Sequence, residues 1–375
     1  MASRFDYRLD LTMLLCRLRK GLFVAFILGF TACYLSTFMK IKSIGRLTVC
    51  RKKINDVAFL KVHKCGSTTV SNIIQRFGMR NGLNLVLPDK PHEGHFWVLG
   101  SLDDFDWQSI IPLPKGRVYN ILSVDTIYNH TMYRTLIPNN PFILGIVRDP
   151  VERFISMDFY EGRGIPLVEK YKGDPHIYAH IKGKAETDEV SAIRGMAYDF
   201  GLPVAQRNDM ASIMSLVELI DVEFNFVMVM EYFDESLVLL KRKLCWETRD
   251  VLYIKRNQNT QKKQYALSPE HRRNLRNIQK ADVNIYEHFK RIFFKEFNSL
   301  GTEGLEEVHN FKNLLRIIGD FCAVKKPLKL TIAATAWNEA FDIDQSECAI
   351  MLLNEFELVK KLQDRQRQIL YGNKS

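Results

Sequence analysis

The chain has no long low-complexity tract and no internal repeat, which removes extended disordered tails and stacked-repeat architectures. Acidic residues are in deficit. Against 53 Lys and Arg there are 43 Asp and Glu, a formal charge of +10. That balance calls for an anionic partner: nucleic acid, acidic lipid, or a phosphate- or sulfate-rich small molecule. No basic stripe with interleaved aromatics is present, and such a stripe is the footprint expected of nucleic-acid binding. Cysteine is scarce: seven in 375 residues, an odd number that leaves at least one thiol unpaired within the chain. What remains is ordinary for a globular protein with a real core, 46% hydrophobic and 26% charged residues.

One apolar run stands apart. Residues 21–39, "GLFVAFILGFTACYLSTFM", carry no charged side chain. As a helix they span roughly 28 Å, close to the hydrocarbon thickness of a bilayer. A signal peptide has a shorter apolar region and a small-residue cleavage site, and a core helix is not apolar on every face. The segment therefore reads as an uncleaved signal-anchor. Basic residues flank it on both sides, and counting them alone favours the opposite topology. Sequons at Asn129 ("NHT") and Asn373 ("NKS"), and five cysteines beyond the span, favour a lumenal domain. Cys322 with Cys348 is the expected bridge. A cytosolic chain with free thiols is the alternative.

Beyond a basic stem, "VAFLKV" (57–62), "VYNILSV" (118–124), "PFILGIV" (141–147) and "NFVMVME" (225–231) read as strands. Helical spacing of Val70, Ile73, Ile74 and Phe77 follows the first, ending at Asn81-Gly82. Asp149, Pro150 and Glu152 predict a capping box and a helix to about Tyr160. Residues 234–246 and 268–297 read as helices, and 301–375 as mostly helical and chemically uninformative. Strands alternating with helices predict a parallel sheet covered on both faces.

"FLKVHKCGSTT" (59–69) has the makings of an anion cradle. Gly66 admits close backbone approach, and Ser67, Thr68 and Thr69 open a helix whose N-terminus favours negative charge. A nucleoside-triphosphate loop puts its lysine after the second glycine; here Lys64 precedes Gly66 and the upstream glycine is missing. That position suits a bridging or leaving oxygen, and an NTPase or kinase is disfavoured. Arg148, at a strand end, and Ser156, in the second turn of the next helix, make a sound phosphate clamp. The plainer role for Arg148 is a salt bridge to a helix end. "HIYAH" (176–180) lacks the glutamate of a zinc protease and reads as a surface helix, and "HEGH" (92–95) reads as a loop.

"FLKVHKCGSTT", "ILGIVRDPVERFISMDFY" and "MEYFDESLVLLKRKLCWETRDVLYIKRN" resemble the galactose-3-O-sulfotransferase family, in order, from about residue 57 to 297. The resemblance implies a P-loop-like sulfotransferase fold, a central parallel sheet flanked by helices, behind an N-terminal transmembrane helix. The chain then divides into a cytoplasmic tail (1–20), signal-anchor (21–39), stem (40–56), sulfotransferase domain (57–300) and helical C-terminal extension (301–375). It implies a single-pass type II Golgi membrane protein with a lumenal domain, taking sulfonate from 3'-phosphoadenylyl sulfate (PAPS), with no metal and no nucleic acid. The acceptor is a galactose 3-hydroxyl, or a similar sugar hydroxyl, of a glycolipid or glycan, and there is room for a homodimer. His63, Lys64 and Gly66 to Thr69 match the 5'-phosphosulfate loop; Arg148 and Ser156 match the 3'-phosphate pair.

Three positions depart from the family pattern. An asparagine-histidine pair after the second strand is replaced by Val124-Asp125, so the expected proton acceptor is Asp125 first, then His63, with His130 also in view. An ordinary aspartate is a poor base unless burial raises its pKa, and Asp125 also reads as a turn or cap residue. Cys65 puts a thiol beside bound phosphosulfate, where oxidation is expected. Gly195 stands in "IRGMAYDFGL" where relatives read asparagine after Arg194. Loss of the histidine motivates a rival reading, a catalytically inactive membrane-anchored protein that still binds PAPS or glycans.

Overall fold

Short β-branched and aromatic runs build the sheet, and every residue in them is buried, as parallel strands covered on both faces require. In a computed structural model describing residues 52–89, 107–161, 191–255, 267–324 and 329–372, these are β1 (Val57–Phe59), β2 (Ile121–Leu122), β3 (Phe142–Val147) and β4 (Phe226–Val229). The signal-anchor, most of the stem, both histidine-pair motifs and Asn373 lie outside the described residues. No described helix is long and apolar enough to cross a membrane.

All four strands run parallel in the order β2-β1-β3-β4, with Val57 opposite Ile121 and Phe142, and Val147 opposite Val229. The first strand is shorter than its apolar run. Leu60 N still donates to Leu144 O, but Val62 N turns back onto Leu60 O and ends the ladder. Lys61 and His63 thereby reach the sheet's C-terminal edge, where ligands of open α/β sheets bind.

Helices connect and cover the strands: α1 (Ser67–Arg80), α2 (His130–Leu136), α3 (Pro150–Glu161), α4 (Ser191–Asp199), α5 (Met210–Glu223) and α6 (Phe233–Leu244). Asp149 caps α3, its Oδ1 accepting from Val151 N and Glu152 N. The predicted box is not closed by Glu152, however. Asp149 N donates to Glu231 Oε1 at 2.9 Å, while Glu152 pairs with Arg272. A long-range carboxylate has displaced the local one.

The predicted 268–297 helix is two, α7 (Pro269–Ile278) and α8 (Lys280–Asn298), broken at Gln279, whose φ −103 and ψ 46 are not helical. Then come α9 (Gly301–Ala323), an antiparallel hairpin of β5 (Lys329–Ile332) and β6 (Phe341–Asp344), α10 (Gln345–Leu352) and α11 (Glu355–Tyr371). The hairpin was absent from the helical reading of 301–375. α11 seals the sheet's β2 side: Leu85 bridges Ile121, and the Gln366 amide exchanges two 2.9 Å hydrogen bonds with Leu85 N and O.

Candidate active site

The turn from β1 into α1 is a cradle that only glycine fits. Gly66 has φ 77, and a Cβ there would stand 2.4 Å from Met230 Sδ. No side chain caps α1; Thr69 N donates to Gly66 O at 3.1 Å, and the amides of Ser67 and Thr68 stand at the positive end of the helix dipole. Ser67 is buried, Thr69 half-buried and Thr68 exposed. Lys64 takes the same left-handed turn, φ 62. These features fit a phosphate or phosphosulfate group.

Arg148 leaves the end of β3 and reaches this cradle. Its Nη1 donates to the Lys64 carbonyl at 2.8 Å, across 84 residues. The two segments picked out from sequence therefore meet at one edge of the sheet. Ser156 stands in the second turn of α3, half-buried, and no bond joins it to Arg148 among the described residues.

His63 is gripped by a residue that sequence reasoning missed. Asp199, the last residue of α4, accepts from His63 N at 2.8 Å and bonds ring Nδ1 at 2.9 Å. Nδ1 thus carries the proton and Nε2 is left as the basic atom, 3.8 Å from Asp125 Oδ1. The Asp199 carboxylate raises the His63 pKa above its ordinary 6.5, against the lowering effect of burial. Asp125 is engaged elsewhere. Its Oδ2 bonds Lys61 Nζ at 2.5 Å, and the same ammonium bonds Glu355 Oε1 of α11 at 2.6 Å. Asp125 is thus a buried ion-pair member, not a turn or cap residue. The C-terminal region, read as chemically uninformative, supplies part of this site.

A sequence model of the family described as Galactose-3-O-sulfotransferase matches residues 12–358. The chain belongs to the galactose-3-O-sulfotransferase family. Galactosylceramide sulfotransferase of Bos taurus is 30% identical over 265 residues, covering 66% of this chain and 59% of the relative. Galactose-3-O-sulfotransferase 2 of Homo sapiens is 27% identical over 279 residues, covering 72% and 68%. Galactose-3-O-sulfotransferase 3 of Mus musculus is 30% identical over 267 residues, covering 68% and 60%. The chain spans about three fifths to two thirds of the length of these relatives. Membership of a sulfotransferase family implies a sulfonate donor.

Within this galactose-3-O-sulfotransferase family member, Gly195 has a physical reason. At φ 76 it kinks α4, and a Cβ there would meet Asp282 Oδ1 at 2.5 Å. Through that opening Asp282 caps the second half of α4, accepting from Met196 N and Ala197 N at 2.9 Å each. The short segment so fixed ends at Asp199. Gly195 therefore acts on the site at second hand, through the carboxylate that orients His63.

Cys65 is fully buried, and burial pushes its thiol pKa up, so the oxidation-prone thiol expected from sequence is held protonated and out of solvent. His130 is exposed and bonds Glu223 at 2.7 Å, and it contacts none of Lys64, Asp125 or Arg148 among the described residues. Asn129 is exposed and caps α2, its Oδ1 accepting from Met132 N. Cys322 and Cys348 form a disulfide, and Cys245 is also disulfide-bonded.

Proposed function

We propose that this chain is a PAPS-dependent carbohydrate sulfotransferase acting on a galactose 3-hydroxyl, or a similar sugar hydroxyl, of a glycolipid or glycoprotein glycan. We place it in the Golgi membrane as a single-pass type II protein with its catalytic domain in the lumen, held by the apolar run at 21–39. The names of its relatives support the galactose acceptor. The observation that supports the reading is the Arg148 Nη1 to Lys64 O hydrogen bond, which joins the two segments proposed to bind phosphate, next to His63.

PAPS, when bound, supplies an electrophilic sulfur joined to a phosphate leaving group. The cradle of Gly66 to Thr69 would hold the 5' side, and Arg148 with Ser156 the 3'-phosphate. His63 Nε2 accepts the proton of the acceptor hydroxyl as its oxygen bonds to sulfur and the sulfur–oxygen bond to phosphate breaks. Asp199 stabilises the imidazolium so formed, as a carboxylate behind a histidine base does. Lys64 and the amides opening α1 meet the charge developing on the departing phosphate, a contribution of roughly 3–4 kcal/mol per good donor. Asp125, bound by Lys61, is left with Oδ1 to accept a hydrogen bond from the sugar.

The test is transfer of labelled sulfonate from PAPS to a panel of galactosides by the purified protein. Lys64→Ala is expected to lose roughly 10²–10³-fold in kcat. No transfer to any galactoside, together with no binding of PAPS, would remove the reading.

A further inference from the structure

A second group of arginines lies at the far end of α1 from the cradle. Arg76 follows Ser67 by nine residues, about 14 Å of helix rise. A cavity of about 260 Å³ opens there, lined by Arg76, Met79, Arg80, Arg249, Glu347 and Ile350. Engineered cavities of about 150 Å³ admit benzene, so this one is large enough for a ring-sized molecule.

Its charges do not balance. Arg76 is only 5% exposed, yet its two acceptors are neutral: Asn72 Oδ1 at 2.8 Å and the Leu252 carbonyl. It makes no ion pair among the described residues. Burial, then the neighbouring Arg80, pushes its pKa down to about 9 against the opposing pull of Glu347 and Asp250, so it is still charged at neutral pH. Arg249 gives Nη2 to Glu347 at 2.6 Å, but its buried Nε has no acceptor. Arg80 bonds Asp250 at 2.7 Å, and that carboxylate also faces Lys53 at 3.3 Å. Three guanidinium groups thus line the cavity against one lining carboxylate, Glu347, which two of them already share. A buried, unpaired charge is costly, and a structural tether needs neither three arginines nor a void.

We propose that this cavity binds an oxyanion carried on a small organic molecule, a sulfate or phosphate monoester of sugar size, at a site separate from the donor cradle. Protein acceptors take up part of each guanidinium, and the N–H groups left over, the buried Arg249 Nε among them, supply donors for such a group. Met79 and Ile350 supply apolar wall for the ring. A free inorganic oxyanion shares the recognition chemistry, and the experiment separates the two sources.

Calorimetric titration of the full-length protein in detergent tests this, with galactose 3-sulfate, galactose and sodium sulfate at constant ionic strength. Arg249→Gln and Arg80→Gln, at partly exposed positions, are the working variants, since Arg76→Gln risks misfolding. Galactose 3-sulfate is expected to show a binding component that Lys64→Ala retains and that Arg249→Gln weakens at least tenfold. Inorganic sulfate is expected to compete for that component only weakly. Equal affinity for inorganic sulfate would overturn the ester assignment in favour of a free anion. Titrations unchanged by Arg249→Gln and Arg80→Gln would overturn the site altogether. No turnover is read, so the outcome is independent of the sulfonate-transfer reading.

Discussion

At the scale of single residues, the proposed chemistry turns on which atom of His63 is basic and which carboxylate controls it. Asp199 holds Nδ1 and the backbone N–H together, so both ring and chain are positioned by one side chain. His63→Ala is expected to lower kcat roughly 10²–10⁴-fold. Asp199→Asn is expected to lower it by up to about 10⁴-fold and to do something a structural role would not. The base must be neutral, and Asp199 raises its pKa above 6.5, so wild-type activity falls as pH drops through that raised value. Losing the carboxylate moves this acidic limb to lower pH, which a kcat profile from pH 5 to 9 would read. The raised pKa also has a stability sign: the His63–Asp199 pair stabilises fully below pH 6.5 and its contribution is lost as pH rises through the folded-state value. The charged groups near the ring are Asp199, Asp125 and Lys61.

Among the elements, α4 is the hinge between distant packing and the site. Gly195→Ala puts a Cβ into Asp282 and asks alanine to hold φ 76. A loss of about 1–3 kcal/mol is expected, with kcat falling alongside because Asp199 moves. Asp282→Ala should cost more, about 3–5 kcal/mol, because two amides and the buried Arg153, 3.6 Å away, lose their carboxylate. Thermal or urea melts of the two variants would check this order. Equal stability of Gly195→Ala and wild type would show that Asp282 can leave without consequence.

For the molecule as a whole, the C-terminal region packs onto the sheet and reaches the candidate site. The Cys322–Cys348 bridge closes a 26-residue separation that ties α9 to α10 across the hairpin. Replacing both cysteines with serine is expected to cost about 3 kcal/mol, read as a lower melting temperature. α11 buries Leu358, Val359 and Leu362, seals the sheet edge through Gln366, and sends Glu355 to Lys61. The family match ends at residue 358, yet a chain stopped after Leu353 is expected to melt several degrees lower. Glu355→Gln should separate the two roles: helix packing is kept, Lys61 loses a charged acceptor, and stability falls by about 1–2 kcal/mol. Unaltered melting of both variants would count against this view of the C-terminus.

Local pattern carried the parallel sheet, the glycine cradle, α1 and the start of α3, because strand runs, caps and phosphate loops are written in neighbouring residues; the meeting of the Lys64 and Arg148 segments was implied by the family resemblance. Lys61 left a trace, a charge inside an apolar run, but nothing nearby said which acids would meet it. Asp199 reaches His63 from 136 residues away, and Glu355 reaches Lys61 from the last helix. Asp125 stands first among the proton acceptors in the sequence because its ammonium partner, Lys61, has no local signature. The residues of the glycine cradle and of Arg148 could be named from neighbouring residues alone. The partners of His63 and Asp125 came from the folded chain alone, since buried charges choose partners by proximity in space, and that proximity has no local signature.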